Sequence, residues 1–224
     1  MIKLSALNER YGNDKMIGYY NYTVIATYCS LICAILGTAF AVNGWMFASF
    51  VCLIICGGLD MVDGAIASTK KDRTPDEKSF GIQIDSLSDL VAFGVLPAVI
   101  CFVFAREINS ILAAVIAALY VLCGLIRLAY YNVSEQNRQG QESGKRVYYL
   151  GLPITMSALF FPLFYCFGTF VEGSMKYVAL VFMIVIGTLF ITPFKLKKAN
   201  GPKMIFMVTV TLGALVAVVI KNLM

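Results

Sequence analysis

Long apolar runs dominate the chain and restrict what it can fold into. A bilayer core of about 30 Å is crossed by about 20 helical residues, and lipid tolerates only helices or closed barrels across its core. The runs are too continuously apolar for the alternating strands of a barrel. We therefore predict an all-α, polytopic transmembrane helical bundle of about six to eight spans. The predicted spans lie near residues 20–42, 45–67, 81–105, 109–133, 150–171, 175–193 and 203–221.

The composition argues against a separate soluble domain. Apolar residues make up 59% of the chain and charged residues 14%, whereas soluble domains carry roughly 25% charged residues. Because no polar block is long enough for a second domain, we predict a single membrane domain over residues 1–224, with 1–18 as a short N-terminal interfacial segment. A cleaved signal peptide is the alternative for the first apolar run, but that run is longer than the usual signal core.

Basic residues concentrate in alternate loops, which predicts the orientation of the bundle. If the N-terminus lies in the cytosol, the outer segments hold only Arg106, Lys176 and Lys221. The inner segments hold Lys3, Arg10, Lys15, Lys70, Lys71, Arg73, Lys78, Arg138, Lys145, Arg146, Lys195, Lys197, Lys198 and Lys203. This asymmetry follows the positive-inside rule and predicts a multi-pass protein of the cell's cytoplasmic membrane. The net charge of +5 suits anionic headgroups, and basic residues dispersed over several loops argue against nucleic-acid binding.

Two residue types narrow the possible chemistry. The chain contains no histidine, so catalysis by imidazole is excluded and any metal must be bound by oxygen ligands or thiolates. The seven cysteines all lie in apolar runs. Cys29 and Cys33 are spaced i, i+4, as are Cys52 and Cys56, so a thiolate zinc site is one interpretation. We favour the other, in which the cysteines are small packing residues of helices.

Four aspartates interrupt the apolar pattern near the ends of two neighbouring spans. Asp60 and Asp63 are three residues apart in "GGLDMVDGAIAS", and Asp85 and Asp89 are four apart in "FGIQIDSLSDLVAFG". These spacings place each pair on one helix face, and a helical hairpin over residues 57–89 brings the two pairs to the same depth. Four ionised carboxylates repel one another and are costly to desolvate. Either some of them are protonated or cations lie between them, and we predict hard divalent cations, which suit these oxygen ligands.

Two other interpretations of these acids involve no catalysis. In the first interpretation, the acids are solvated helix-end residues that pair with Lys70, Lys71 or Lys78. In the second the protein is a cation transporter, because intramembrane carboxylates also mark ion paths. A transporter favours acids at mid-membrane on an internally repeated scaffold, whereas these acids lie at one predicted surface and the sequence contains no visible repeat.

The sequence around the aspartates resembles the signature of the CDP-alcohol phosphatidyltransferase family, D-x-x-D-G-x-x-A-R followed by G-x-x-x-D-x-x-x-D. The matching residues are Asp60, Asp63, Gly64, Ala67, Gly81, Asp85 and Asp89. The chain departs from the pattern at Ser68, where the family has arginine, and in a longer spacer over residues 69–80. Lys70 and Lys71 are the candidates to replace that arginine.

Further segments are similar to the bacterial and archaeal phosphatidylserine synthases of this family. They are "FGIQIDSLSDLVAFGVLPA", "IRLAYYN", "GLPITMSA" and "PFKLKK", so the resemblance extends from about residue 20 to residue 198. It implies transfer of a phosphatidyl group from CDP-diacylglycerol to a small alcohol, with L-serine favoured and glycerol 3-phosphate, inositol phosphate or choline as alternative acceptors. It also implies a homodimer and an active site that faces the cytosol. A non-catalytic lipid-binding relative is the alternative that Ser68 suggests.

The resemblance also implies roles for individual residues. Two divalent ions, Mg²⁺ or Mn²⁺, would be bound by Asp60, Asp63, Asp85 and Asp89, with Asp89 also the general base. CDP-diacylglycerol would be bound by Asp63, Gly64, Ala67, Ser68 and Gly81. Arg127 would be a candidate for contact with the acceptor. Apart from the resemblance, Lys145 and Arg146 in the predicted cytosolic loop are further candidates, since an acceptor with a second phosphate needs extra cations. A charge within a span, as at Arg127, needs a partner or a function, whereas the other two cations also fit ordinary positive-inside residues.

Overall fold

The described part of the chain is built almost entirely from helices. The structure, a computed structural model, describes residues 17–139, 148–168 and 174–197, together with residues 209 and 213. The helices are α1 (Ile25–Val42), α2 (Met46–Thr69), α3 (Pro75–Asp89), α4 (Leu96–Ala105), α5 (Ser110–Gln139), α6 (Ser157–Gly168) and α7 (Met175–Ile191). A 3-10 turn, Tyr22–Val24, precedes α1, and another, Ile154–Met156, precedes α6. The prediction of a helical bundle is therefore confirmed.

Four helical stretches are long and apolar enough to cross a membrane. They are Tyr22–Val42, Met46–Thr69, Pro75–Ala105 and Ser110–Gln136, and they correspond to the first four predicted spans. The fifth and sixth predicted spans fall on shorter apolar helices, Ile154–Cys166 and Met175–Ile191. The seventh predicted span, 203–221, lies outside the described residues except for 209 and 213, and the N-terminal segment 1–18 lies outside them except for its last two residues. The described residues thus supply four candidate spans, and the predicted total of six to eight is not confirmed.

One short antiparallel strand pair accompanies the helices, and the apolar pattern gives no signal for it. Strand β1 (Tyr148–Leu150) pairs with β2 (Lys195–Lys197), with Leu150 opposite Lys195. Gly151 follows β1 with a φ of 73°, and a Cβ there would lie 3.0 Å from the carbonyl oxygens of Phe190 and Thr192. This close approach of two backbones requires glycine, and it joins the segment before α6 to the end of α7.

Helices α1 and α2 pack closely through small residues. A Cβ at Gly37 would lie 2.8 Å from the Cβ of Cys52, so the missing side chain allows the two helices to approach. The thiol of Cys56 donates to the carbonyl of Ser30 over 3.3 Å. All seven cysteines are free. Small residues at a helix interface are typical of membrane bundles, and Cys52 and Cys56 act as packing residues there.

Aromatic side chains fill the core between α4, α5, α6 and α7. Tyr120 packs against Phe161 and Phe190 with ring centroids 5.6 and 5.4 Å apart, and all three side chains are almost fully buried. By contrast, Leu119 on the other face of α5 and Val181 on α7 are more than half exposed. Apolar residues therefore cover both the core and the outer faces, which is the pattern of helices surrounded by lipid.

A π-helical segment, Leu90–Val95, joins α3 to α4 and follows Asp89 directly. Pro97, near the start of α4, has no N–H to donate to the carbonyl of Phe93 four residues earlier. The hydroxyl of Tyr120 on α5 donates to that carbonyl instead, over 2.9 Å, and also lies 2.8 Å from the Ser157 hydroxyl. Wide turns of this kind often occur at functional sites. Here the π-helical segment fixes the end of α3 that carries Asp85 and Asp89.

Candidate functional site

A short polar loop, residues 70–74, turns the chain between α2 and α3. Thr74 and Glu77 form a capping box: the Thr74 hydroxyl accepts from the N–H of Glu77 over 3.1 Å, and the Glu77 carboxylate accepts from the N–H of Thr74 over 2.9 Å. The same carboxylate accepts from Lys70 Nζ over 2.8 Å and from Asn21 Nδ2 over 3.1 Å. The hydrogen bond to Glu77 raises the pKa of Lys70. Glu77 therefore fixes the loop to the start of α3 and to Asn21, which precedes α1.

Three of the four aspartates meet at one point. Carboxylate oxygens of Asp60, on α2, and of Asp85 and Asp89, on α3, all lie within 4.8 Å of one another. Asp89 is buried, at 9% exposure, and the other two are partly buried. We call this group the aspartate triad. The hairpin thus joins side chains that are 29 residues apart in sequence at its two ends, Asp60 and Asp89.

The triad fits a divalent cation. Its donors are carboxylate oxygens, the ligand type that Mg²⁺, Mn²⁺ and Ca²⁺ prefer. Carboxylates this close in a partly buried site repel one another unless a positive charge lies between them. The separation of at most 4.8 Å allows small side-chain rotations to bring one oxygen from each acid to a shared ion. The described residues that could hold a metal are therefore Asp60, Asp85 and Asp89.

Asp63, the remaining predicted ligand, lies beside the triad and not within it. It interacts electrostatically with Asp60 and Asp85. It lines a cavity of about 550 Å³ that also reaches Asp85. We call this space the loop cavity, because the loop at 70–74 and the adjoining helix ends surround it. Asp63 is thus placed to contact a ligand in the loop cavity beside whatever the triad binds.

The loop cavity collects both the predicted small residues and a set of cations. Gly64, Ala67, Ser68 and Gly81 line it, as does the triad member Asp85. The cations that line it are Lys70, Lys71, Arg73 and Lys78. A cavity with acids at one end and cations along its wall suits a ligand that carries phosphate groups and a metal ion together.

A second cavity, of about 210 Å³, lies on the other side of the triad. Asp60, Asp85 and Asp89 line it together with Arg127, Leu128, Tyr131, Pro153, Ile154 and Thr155. We call it the arginine cavity. Asp85 therefore lines both cavities, so ligands in the two spaces would meet at the triad.

Arg127 is the cation of this second space. It is 6% exposed, its Nε donates to the carbonyl of Leu152 over 3.2 Å, and its guanidinium carbon lies 5.4 Å from the ring centroid of Tyr131. A buried guanidinium is stable only when hydrogen-bonded or paired. Arg127 lines the same cavity as three carboxylates, which explains why a positive charge occurs within a predicted span.

Not every predicted site residue is placed by the structure. Lys145 and Arg146 lie outside the described residues. The hydroxyl of Ser68 donates within its own helix, to the carbonyl of Ala65 over 2.7 Å. Of the two candidates to replace the missing arginine, Lys70 forms an ion pair with Glu77 at 2.8 Å and Lys71 is exposed.

Several residues that line the two cavities are not among the site residues predicted from the sequence. Arg73 lies in the loop and lines the loop cavity, and its only sequence signal is the unusual length of the spacer. Tyr131 and Thr155 line the arginine cavity but come from segments far from the aspartates. The π-helical segment has a signal in Pro97, since proline in an apolar run marks a break in helical hydrogen bonding.

Hydrogen bonds from neighbouring helices support the acid-bearing helix. The hydroxyl of Ser88 donates to the carbonyl of Thr27 on α1 over 3.2 Å. On the other side, Asn132 Nδ2 of α5 donates to the hydroxyl of Ser86 over 2.8 Å. Both serines lie between Asp85 and Asp89, so these bonds limit rotation of α3, which is how supporting groups keep ligands oriented.

Together these features describe a protein with four helices of membrane-spanning length and an aspartate triad between two cavities that contain basic side chains. This arrangement suits a divalent cation beside a phosphorylated ligand. The sequence profile of the CDP-alcohol phosphatidyltransferase family matches residues 20–220. The chain belongs to this family, as the resemblance of its aspartate motif predicts.

Similarity to individual relatives extends over much of the chain. The archaetidylserine synthase of Methanothermobacter thermautotrophicus is 29% identical over 161 residues, which cover 72% of this chain and 63% of that protein. The CDP-diacylglycerol–serine O-phosphatidyltransferase of Methanocaldococcus jannaschii is 31% identical over 153 residues, covering 68% of this chain and 65% of the relative. The enzyme of that same name from Saccharomyces cerevisiae is 38% identical over 119 residues, covering 52% and 40%. The chain spans less than two thirds of the length of each of these relatives.

Proposed function

We propose that this protein transfers a phosphatidyl group from CDP-diacylglycerol to L-serine, giving phosphatidylserine and CMP. The family provides the reaction class, and the names of the three relatives all include serine as the group that is joined to the lipid. The single observation that carries the proposal is the position of Asp85. It belongs to the aspartate triad and lines both cavities, so a donor on one side and an acceptor on the other would react across it.

The donor occupies the loop cavity in this proposal. Gly64 and Ala67 leave space along the helices for the nucleotide, Gly81 lines the same cavity, and Asp63 and Ser68 provide polar contacts. The cations of the cavity wall attract the diphosphate. The acyl chains remain in lipid between the spans.

Asp60, Asp63, Asp85 and Asp89 hold two divalent cations, Mg²⁺ or Mn²⁺, in the proposed enzyme. When bound, such ions neutralise the diphosphate and the charge that develops as CMP departs. The carboxylates of this chain set the position of that charge at the boundary of the two cavities.

The acceptor enters the arginine cavity. Arg127 binds its carboxylate through the guanidinium, the geometry that suits planar anions, and Asp89 receives the hydroxyl proton. The hydroxyl oxygen forms a bond to the phosphorus that carries diacylglycerol, and the bond from that phosphorus to the CMP oxygen breaks. The buried position of Asp89 and its place in the wall of this cavity support the role of base. Lys145 and Arg146 contribute further positive charge to acceptor binding.

The membrane setting follows from the helices and the charge distribution. We propose a single membrane domain of six to eight spans in the cytoplasmic membrane, with the catalytic hairpin 57–89 at the cytosolic face and the protein acting as a homodimer. The four apolar helical stretches support the membrane location. The loop cavity contains four basic side chains, Lys70, Lys71, Arg73 and Lys78, which supports the cytosolic side under the positive-inside rule.

Release of CMP tests the proposal. The purified full chain is incubated with CDP-diacylglycerol and Mg²⁺ or Mn²⁺, and separately with serine, glycerol 3-phosphate, inositol phosphate or choline. We expect CMP release that requires both a divalent ion and serine, with phosphatidylserine as the lipid product.

The same panel decides between the alternatives. CMP release with one of the other acceptors, and not with serine, would change the assigned acceptor but keep the assigned reaction. No release with any acceptor, despite binding of CDP-diacylglycerol, would favour a lipid-binding relative. Divalent-ion flux into vesicles that contain the protein would favour a transporter.

A further inference from the structure

The loop between α2 and α3 places an arginine over a glycine. A Cβ at Gly81 would lie 2.5 Å from Nη2 of Arg73, whereas a Cβ at Gly64, in the wall of the same loop cavity, would meet no atom within 4 Å. Gly81 therefore leaves the space that the Arg73 guanidinium fills. Gly81 lies one helical turn before Asp85, on the same face of α3, and both residues line the loop cavity.

The guanidinium is held in place but is not satisfied. Its Nη2 donates to the carbonyl of Glu77 over 3.1 Å. Its Nε is buried and has no hydrogen-bond partner within the part of the chain that the structure describes. A buried N–H without an acceptor destabilises the folded protein. The described residues therefore leave part of the hydrogen-bonding capacity of this guanidinium unused, and Arg73 lines the loop cavity where a ligand would lie.

No other basic residue of this cavity has the same properties. Lys70 is engaged with Glu77 at 2.8 Å, and Lys71 and Lys78 are exposed at the surface. An exposed ammonium is a mobile, strongly hydrated point charge, whereas a guanidinium offers several donors in one plane and binds phosphate oxygens in pairs. Arg73 is thus the cation best built to hold a phosphate group in a fixed position.

We propose that Arg73 binds the diphosphate of the nucleotide donor, and that the missing side chain of Gly81 makes room for the Arg73 guanidinium in this position. The inference rests on the proposed function, since it takes a CDP-linked donor as the ligand of the loop cavity. It explains two departures of the motif together. The chain has Ser68 where an arginine is usual, with its hydroxyl bonded to Ala65, and the longer spacer supplies an arginine from the loop instead.

Nucleotide binding by the purified full chain tests this inference. The affinities for CDP and for CMP are measured in Mg²⁺ by calorimetry for the wild type and for Arg73→Ala, Gly81→Ala and the double variant. Lys176→Ala, at the start of α7 and outside both cavities, is the matched control for loss of one positive charge.

The expected result is a selective loss. Arg73→Ala weakens CDP binding about tenfold to a hundredfold, as expected for a charged hydrogen bond, and weakens CMP binding less, because CMP carries only one of the two phosphates. Gly81→Ala gives a smaller loss for CDP, because the added methyl group shifts the flexible end of Arg73 out of this position. The double variant binds CDP no more weakly than Arg73→Ala alone, since the methyl group then has nothing to displace. Lys176→Ala binds both nucleotides like the wild type.

Three results would overturn the inference. One is CDP binding by Arg73→Ala at wild-type affinity, and another is an equal loss of CDP and CMP affinity, which would indicate collapse of the loop. The third is full additivity of the two substitutions. Failure of the proposed function gives a different pattern, because the wild type itself would then fail to bind CDP or to release CMP from CDP-diacylglycerol.

Discussion

The loop cavity and the arginine cavity share Asp85 but are built in different ways. The loop cavity takes its cations from a polar loop and the adjoining helix ends, which Glu77 and Thr74 fix through hydrogen bonds near the surface. The arginine cavity takes its cation from Arg127, a residue 6% exposed in the packed interior of the bundle. One side of the site thus depends on several accessible charges, and the other on one buried charge.

This difference indicates how each side tolerates change. Exposed charges are screened by solvent and replace one another at small cost. A buried charge is held by a fixed set of partners, and its loss leaves those partners unsatisfied. We therefore expect substitution effects to fall from the shared acids, through the arginine cavity, to the surface lysines of the loop cavity.

The largest effect is expected at the shared acid. Asp85→Asn removes one negative charge from the triad with little change in volume, so both the metal and the two substrates lose their common contact. We expect CMP release to fall about a thousandfold or more, to background, consistent with several kcal/mol of lost charge stabilisation. Measurement over a range of Mn²⁺ concentrations distinguishes weak metal binding from loss of chemistry.

Asp76→Asn is the matched control for that variant. Asp76 is an exposed acid in the first turn of α3 and lines neither cavity. It should retain wild-type activity. If Asp85→Asn were as active as Asp76→Asn, the two cavities would not share a functional centre at Asp85.

The next effect is expected at the buried end of the triad. Asp89→Asn should reduce turnover about a hundredfold, which is the usual range for loss of a general base, while CDP-diacylglycerol binding is largely kept. The reason is that Asp89 lines the arginine cavity and not the loop cavity. Turnover is measured by CMP release and donor affinity by lipid binding. Full turnover in this variant would refute the assignment of Asp89 as base.

A smaller, more selective effect is expected at Arg127. Arg127→Met keeps much of the side-chain volume but removes the donor to Leu152 and the positive charge. We expect the KM for serine to rise about tenfold, the magnitude of one charged hydrogen bond, while the KM for CDP-diacylglycerol changes little. The thermal midpoint should also fall. Equal changes in both KM values would show that Arg127 serves the fold and not the acceptor.

Much of this architecture is readable from the sequence. The apolar runs locate the first four helices because a bilayer imposes both their length and their composition. The spacings of three and four residues place the acids on common faces, and the hairpin brings Asp60 to Asp85 and Asp89. Helix α3 begins at Pro75, before the predicted span that begins near residue 81. The sequence contains a signal for this start, since "TPDE" over residues 74–77 forms a capping box with proline at the first helical position.

The remaining features depend on where distant segments meet. Spacing alone groups Asp63 with Asp60, whereas the rotation of α2 against α3 leaves Asp63 beside the triad. The bond from Arg127 to Leu152 joins α5 to the segment before α6. Arg73 is found only when the path of the loop over Gly81 is known. Periodicity describes one element at a time, so contacts between elements are beyond it.

The smallest effect is expected at Lys71, and it tests whether an exposed lysine and the partly buried Arg73 contribute differently to donor binding. Lys71 is exposed and lines the same loop cavity as Arg73, so its charge reaches the donor through solvent. Lys71→Ala should raise the KM for CDP-diacylglycerol by less than about threefold, and the difference from the wild type should vanish at high salt because screening removes it. The loss in Arg73→Ala should persist at high salt, since that guanidinium is partly buried against Gly81. If the two variants lost affinity equally and with the same salt dependence, the loop cavity would be a diffuse field of charge, and no single loop residue would define the position of the diphosphate.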